Sequence, residues 1–259
     1  MHLKTQRLRL LSIIFGVFFT TFSGALYLFT PQLIDQGARR YLQFRNFETH
    51  VYCPPEFSDF TFCRKFGEKI EVLVLGDSMQ LGFSQRNSLT LGAGSCPLLW
   101  SIVTSNSAKN CLQLSDRIAS VLELATDVRE VWLVHRSEYL DFQSEEDYRA
   151  AIIKLVDQIK RKLGGVEILI VLEPARFTEA VPTCMRRLSF SGKECTNMHS
   201  ESFSQRLAIL DSITKLYPNV SIVAPYSPEK VGYRIYLSCF KDQIHFIHAC
   251  QDVIYGEQL

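Results

Sequence analysis

The stretch "KIEVLVLGDSMQLGF", residues 69–83, is the strongest indication of the fold, because an apolar run leads directly into an acidic residue and a hydroxyl. The run "IEVLVL" within it is typical of a strand that is buried on both faces. Gly76 permits a tight exit from that strand, and Asp77 and Ser78 follow at its carboxyl end. Two interpretations are open at this point: Ser78 performs chemistry, or Asp77 and Ser78 only cap the following helix.

The same type of apolar run recurs along the chain and alternates with amphipathic stretches. The predicted strands are 70–75, 130–134, 166–172 and 220–224, and the predicted helices are 113–125, 144–163 and 201–216. The helix over 144–163 has the clearest signals, with Ser144 as N-cap and Gly164 as the stop. This alternation predicts an α/β fold, a three-layer α/β/α sandwich with a parallel sheet. Ligands of such sheets bind beyond the carboxyl ends of the strands.

The N-terminus, residues 1–30, is predicted to be a transmembrane anchor. Its uncharged core from Leu10 to Phe29 spans roughly 30 Å as a helix, which is enough to cross a bilayer. A cleaved signal peptide is the alternative, because Ser23-Gly24-Ala25 resembles a cleavage site. Apolar residues continue beyond that site and favour the uncleaved anchor. Either interpretation exports the remaining chain, which we divide into a juxtamembrane connector, 31–68, and one α/β domain, 69–259.

The eight cysteines also indicate export. Successive pairs are separated by 10, 15, 11 and 11 positions, which suggests four local disulfide loops. Proximity predicts the pairs Cys53–Cys63, Cys96–Cys111, Cys184–Cys195 and Cys239–Cys250, although eight cysteines allow about 105 connectivities. An oxidising compartment such as a bacterial periplasm suits this pattern.

Composition excludes some classes of function. The net charge is +1, from 28 basic and 27 acidic residues, and no basic cluster with interleaved aromatics is present, so we expect no nucleic-acid partner. At 47% hydrophobic residues the chain has enough apolar side chains for a substantial core.

A serine nucleophile needs a base and a group that orients the base. Near the other end of the chain, "KDQIHFIHAC" places Asp242 three residues before His245, so that one turn brings both side chains to the same side. Cys239, His245, His248 and Cys250 also invite a zinc interpretation. A disulfide would consume both thiols, so we expect no metal and no cofactor.

A strand that ends in Gly-Asp-Ser, together with a distant Asp-x-x-His, resembles the SGNH (GDSL-type) hydrolase superfamily over roughly residues 70–250. The resemblance implies an SGNH or flavodoxin-like fold in which Ser78 is the nucleophile, His245 the general base and acid, and Asp242 the orienting carboxylate. More narrowly, the "SCP" at 95–97 and "VLEPARF" at 171–177 are similar to the SGNH domains of bacterial cell-surface polysaccharide O-acyltransferases.

In that superfamily the oxyanion hole draws on a glycine N–H and a side-chain amide. Gly92 and Gly94 are the candidates for the first donor, although glycines in a turn explain them as well. No asparagine follows the strand at 130–134, so three alternatives are open: His135 or Arg136 replaces the amide, another donor comes from elsewhere in the chain, or the site is weak. A missing oxyanion donor costs about 3–4 kcal/mol of transition-state stabilisation.

The sequence therefore predicts a membrane-anchored, exported serine O-acyltransferase or acetylesterase that acts on O-acyl groups of a cell-envelope glycan. A membrane acyltransferase partner that supplies acyl groups is expected beside it. The alternative is a catalytically weak or inactive SGNH-like module that binds glycan or scaffolds an envelope complex. A lipase is less favoured, because no extended apolar lid stretch follows the N-terminus.

Overall fold

A computed structural model of the chain shows a mixed α/β fold. It describes residues 53–57, 60, 62–77, 79, 82–83, 87–92, 117–125, 127–134, 136, 144–174, 176–191, 195, 201–242, 245–247 and 250–256. The strands are β1 (Phe62–Phe66), β2 (Val72–Gly76), β3 (Ser88–Gly92), β4 (Glu130–Val134), β5 (Glu167–Val171) and β6 (Val220–Val223). The helices are α1 (117–124), α2 (Glu145–Leu163), α3 (Val181–Ser191), α4 (Glu201–Thr214), α5 (Pro228–Val231), α6 (Tyr233–Ser238) and α7 (Gln251–Tyr255).

These strands form one six-stranded sheet in the order β1-β3-β2-β4-β5-β6. Strands β3, β2, β4, β5 and β6 are mutually parallel, and only β1 is antiparallel to its neighbour β3. The order of the parallel strands reverses between β2 and β4, and open α/β sheets generally bind ligands at such a switch point. The carboxyl ends of β2 and β4 are therefore where a functional site is expected.

Alternating side chains of the central strands enter two separate apolar cores. Leu73 and Leu75 of β2 join a core formed with α1, α2 and α4, whereas Val72 and Val74 join a core formed with α3, α6 and α7. All five residues of β2 are buried, as the apolar run predicted. Helices on both faces of a sheet that is buried on both sides give three layers.

Helix α2 confirms the clearest helical prediction. Ser144 caps it by accepting a hydrogen bond from the Asp147 N–H at 3.1 Å, and Gly164 ends it with a φ of 72°. Acidic residues occupy the first turn and basic residues the last turn, an order that complements the helix dipole. Its apolar face, which includes Tyr148 and Ile152, packs into the core it shares with α1 and α4.

The sheet is mostly, rather than wholly, parallel. Strand β1 lies in the range 31–68 that we expected to be a connector, yet it pairs with β3 across five residues from Phe62↔Gly92 to Phe66↔Ser88. Its Arg64 and Lys65 are tolerated because an edge strand exposes part of its surface to water. Strand β3 was not predicted either, since its residues "SLTLG" are buried although three of them are polar or glycine.

Three of the four predicted disulfides are confirmed. Cys53–Cys63, Cys184–Cys195 and Cys239–Cys250 are bonded, with Cα atoms 5.5, 5.6 and 5.5 Å apart. The predicted Cys96–Cys111 pair lies outside the described residues.

The predicted anchor, residues 1–30, also lies outside the described residues. Among the helices that the structure does describe, none has both the length and the apolar character needed to cross a bilayer.

Candidate active site

The exit of β2 is held tightly on both sides of position 78. Asp77 is completely buried, its N–H donates to the Val134 carbonyl at 3.3 Å, and its Oδ1 accepts the Met79 N–H at 2.8 Å. Met79 is 2% exposed. Ser78 itself lies outside the described residues. Its two neighbours in sequence are therefore anchored at the carboxyl ends of β2 and β4.

Arg136 meets Asp77 at the same edge of the sheet. Its Nε lies 3.4 Å from the Asp77 Oδ2, and its side chain is 19% exposed. At this distance the contact is an ion pair rather than a well-aligned hydrogen bond. Arg136, one of the predicted oxyanion donors, thus contacts the neighbour of the proposed nucleophile.

Asp242 and His245 are brought together as their spacing predicted. The Asp242 Oδ2 lies 2.7 Å from the His245 Nδ1, and its Oδ1 accepts the His245 backbone N–H at 2.7 Å. The carboxylate therefore fixes both the backbone and the ring of His245. A proton on Nδ1 that is donated to Asp242 leaves Nε2 as the basic nitrogen of a neutral imidazole. The His245 side chain is 22% exposed, so solvent reaches this residue.

The loop around His245, residues 239–250, is closed by the Cys239–Cys250 disulfide. Two backbone hydrogen bonds cross it: the Ile247 N–H donates to the Cys239 carbonyl at 2.8 Å, and the Lys241 N–H to the His245 carbonyl at 2.9 Å. The carbonyl of Asp242 also accepts the N–H of Val181, the first residue of α3, at 3.2 Å. The histidine loop is thus tied both to itself and to the helix that follows β5.

The segment after Ser78 contacts the histidine loop. The Phe83 and Phe246 rings meet edge to face with centroids 5.2 Å apart, and both residues are almost completely buried. A Cβ built on Gly82 would overlap the Phe246 ring. Phe246 directly follows His245, so the chain five residues beyond Asp77 packs against the immediate neighbour of the histidine. The sequence does not predict the contact between Gly82 and Phe246, because no short-range pattern links the two residues.

The remaining oxyanion candidates are only partly described. Gly92 is the buried last residue of β3 and pairs with Gly76, so it lies at the same end of the strands as Asp77. Gly94 and His135 lie outside the described residues. Two of the four residues considered as zinc ligands, Cys239 and Cys250, cannot bind a metal as thiolates, because they are bonded to each other. In the described part of the chain, no three His, Cys, Asp or Glu side chains are grouped so as to hold a metal.

A second polar cluster lies at the exit of β5 and includes Glu173 of the "VLEPARF" stretch. Arg206 is fully buried and its Nη1 lies 3.6 Å from the Glu173 Oε2. Burial raises the pKa of the Tyr148 hydroxyl, although the nearby Arg206 opposes this shift. Burial likewise raises the pKa of Tyr255 well above its usual range, and its hydroxyl donates to the Leu172 carbonyl at 2.9 Å. Both phenols are therefore neutral, and the Tyr255 hydroxyl holds the exit of β5 through its hydrogen bond to the Leu172 carbonyl.

Comparison with known proteins gives a partial structural match. No family model and no curated protein matches the sequence. Among solved structures, the chain is similar to the periplasmic domain of the lipopolysaccharide acetyltransferase of Salmonella ser. Paratyphi A, with a TM-score of 0.45 and 12% sequence identity. The match covers 60% of this chain and 67% of that one. No family assignment follows from a similarity of this extent.

Proposed function

We infer that this chain is a serine acyltransferase or esterase of the SGNH type that acts on O-acyl groups of a cell-envelope glycan. The observation that supports this most is the Asp242–His245 pair, in which one carboxylate binds the ring and the backbone of the same histidine at 2.7 Å. Such a pair is the orienting half of a Ser-His-Asp triad. The contact of Phe83 with Phe246 supports the approach of Ser78 to that pair.

The proposed reaction uses these groups in two half-reactions. Ser78 Oγ attacks the carbonyl carbon of an acyl ester while His245 Nε2 takes its proton. Collapse of the tetrahedral intermediate breaks the bond to the donor's alcohol oxygen, and the imidazolium returns the proton to that oxygen. An acceptor hydroxyl of a sugar, or water, then loses its proton to His245 and attacks the acyl-serine, which regenerates Ser78. Asp242 stays ionised and stabilises the imidazolium.

Location and partners are part of the same proposal. The three disulfides support an exported domain in an oxidising compartment, such as the periplasm. The apolar N-terminus would hold the domain at the membrane, beside a membrane partner that supplies acyl groups. The acetyl group is the proposed acyl group, since the resemblance is to O-acetylating systems.

Turnover of p-nitrophenyl acetate by the full chain in detergent micelles tests the proposal. Ser78→Ala and Asp242→Asn are expected to lower kcat/KM by about 10³-fold or more, because members of a triad act as a unit. Ser221→Ala and Asp252→Asn change exposed residues of the same types and serve as matched controls. Addition of an acetyl-accepting oligosaccharide distinguishes transfer from hydrolysis. Turnover that persists in Ser78→Ala would remove the serine from the mechanism.

The second candidate is a catalytically weak or inactive module that binds glycan or scaffolds an acyltransferase complex. The Arg136–Asp77 ion pair favours it, because it directs a predicted oxyanion donor at another protein group. Saturable glycan binding that is unchanged by Ser78→Ala, with no ester turnover in the wild type, is the result that would select this candidate.

A further inference from the structure

A buried ion pair joins the two strands at the point where the strand order reverses. Asp77 follows β2, Arg136 lies two residues beyond β4, and the two side chains are 3.4 Å apart. We propose that Arg136 is a positioning residue that holds the turn around Ser78 through Asp77, and that it does not bind the acyl group. This inference rests on the proposed function and assigns Arg136 a specific role within it.

Burial is the first step of the argument. The Asp77 side chain is 0% exposed, and a carboxylate removed from water is strongly destabilised unless a cation or several donors compensate it. Arg136 supplies the cation. Because its side chain is 19% exposed, it reaches from the protein surface to a fully buried acid. Substitution of Arg136 would therefore remove the positive charge that lies 3.4 Å from the buried Asp77 carboxylate.

The two oxygens of Asp77 have different partners. Oδ2 faces the guanidinium, whereas Oδ1 accepts the Met79 N–H at 2.8 Å, across position 78. The Asp77 N–H in addition donates to the Val134 carbonyl of β4. A rotation of the carboxylate that breaks one of these contacts disturbs the other. Arg136 is therefore coupled mechanically to the backbone on both sides of the proposed nucleophile.

This geometry predicts a defect in kcat with little change in KM. Misplacement of a reacting group by about 1 Å typically costs about 10²-fold in rate. Arg136→Gln is accordingly expected to lower kcat by about 10²-fold and to change KM no more than about twofold. Arg136→Lys keeps the charge and should retain part of the lost activity. Arg149→Gln, at an exposed site on α2, is the matched control.

A double-mutant cycle separates this role from direct binding of the oxyanion. Asp77→Asn keeps an oxygen acceptor for the Met79 N–H but removes the negative charge that Arg136 compensates. If Arg136 acts through Asp77, adding Arg136→Gln to Asp77→Asn costs no more than about twofold further. If Arg136 itself donates to the oxyanion, the same 10²-fold loss persists in the Asp77→Asn background. The second result overturns the inference and leaves the proposed function intact.

Amide exchange at Met79 provides a readout that does not depend on activity. The chain has four methionines, so ¹⁵N-methionine labelling gives a simple spectrum in which Met79→Leu identifies the signal. We expect Arg136→Gln to accelerate exchange of the Met79 amide at least about tenfold relative to the wild type, and to cause no further acceleration in the Asp77→Asn background. Unchanged exchange in Arg136→Gln refutes the positioning role.

The exchange measurement also decides the inference if the wild type hydrolyses no ester. In that case the proposed function fails, while accelerated Met79 exchange still supports the restraint and unchanged exchange still refutes it. If Arg136→Gln does not fold, Arg136→Lys is used in the same cycle. If the fall in kcat caused by Arg136→Lys disappears in the Asp77→Asn background, the proposal is supported. If that fall in kcat persists, the proposal is overturned.

Discussion

Replacement of Gly82 by alanine tests the packing of the segment after Ser78 against the histidine loop. The Cβ of an alanine would overlap three ring atoms of Phe246, namely Cε1, Cε2 and Cζ. The φ of Gly82 is not in the left-handed region, so the backbone accepts alanine without strain. Any penalty therefore comes from the overlap with the ring.

The ring has little room to move away. Phe246 is 1% exposed, and its ring lies 5.2 Å from that of Phe83 and 5.9 Å from that of Tyr255. An extra methyl group in a core that cannot relax typically costs about 1–3 kcal/mol. Alanine also restricts the unfolded chain, which offsets about 0.4–1 kcal/mol of this cost. We expect a net loss of roughly 1–2 kcal/mol in the free energy of unfolding.

Urea unfolding of the full chain in micelles measures this change, with Gly165→Ala as the matched control. Gly165 has no atom within 4 Å of an added Cβ, so the control gains the unfolded-state benefit without the overlap. The combined Gly82→Ala/Phe246→Leu variant should lose less than the sum of the two single variants, because the smaller side chain makes room for the methyl group.

Ester turnover gives the second measurement for the same variants. Phe246 follows His245 directly, so displacement of the Phe246 ring should move the proposed base, and kcat should fall in Gly82→Ala but not in Gly165→Ala. If Gly82→Ala is as stable as the control Gly165→Ala, and if the Gly82→Ala/Phe246→Leu variant loses the sum of its two single variants, the segment after Ser78 does not pack on the histidine loop. The approach of Ser78 to His245 would then lose its main structural support.

Two further predictions concern the disulfide around His245 and the buried phenols. Removal of the Cys239–Cys250 disulfide by two serine substitutions should lower the free energy of unfolding by roughly 3 kcal/mol and should also lower kcat, because this disulfide closes the loop that carries His245. Removal of Cys53–Cys63, which ties the edge strand β1 to the chain before it, should lower the free energy of unfolding alone; an equal fall in kcat for both variants would contradict this. Because burial raises the folded-state pKa of Tyr148 and Tyr255, each keeps its proton in the folded state at a pH where the unfolded chain, with a pKa of 10.0, loses it. Stability should accordingly fall as the pH rises above 10.0, by at most about 1.4 kcal/mol per pH unit for each phenol. Tyr255→Phe should show a shallower fall in urea midpoints between about pH 9 and 11 than the wild type; an unchanged slope would show that Tyr255 does not contribute.

Local sequence signals were sufficient to predict much of the fold. The apolar run before Gly76 predicted the buried strand β2, and the caps Ser144 and Gly164 predicted α2 to within one residue. The pairing of Asp242 with His245 was also predictable, because a spacing of three residues keeps both side chains on one turn. These features depend on residues that are close together in the chain.

Strands β1 and β3 were not predictable in the same way. β3 is buried because it lies between β1 and β2, although its sequence "SLTLG" contains two hydroxyls and a glycine. β1 carries charges that the edge of the sheet tolerates. In both strands the environment set by neighbouring strands outweighs the intrinsic strand propensity of the residues, and that environment exists only in the folded chain.

Local chain geometry is enough to predict the alternation of strands and helices, three of the disulfide pairs and the Asp-x-x-His pair, because short loops and single turns involve only residues that are close in the chain. The folded structure was needed to show that Arg136 lies against Asp77 and that Gly82 packs against Phe246. These partners are 59 and 164 positions apart in the chain, taken as 136 − 77 and 246 − 82. Contacts at such separations are set by the order of strands in the sheet and by the filling of a shared core, and neither leaves a periodic pattern in the sequence.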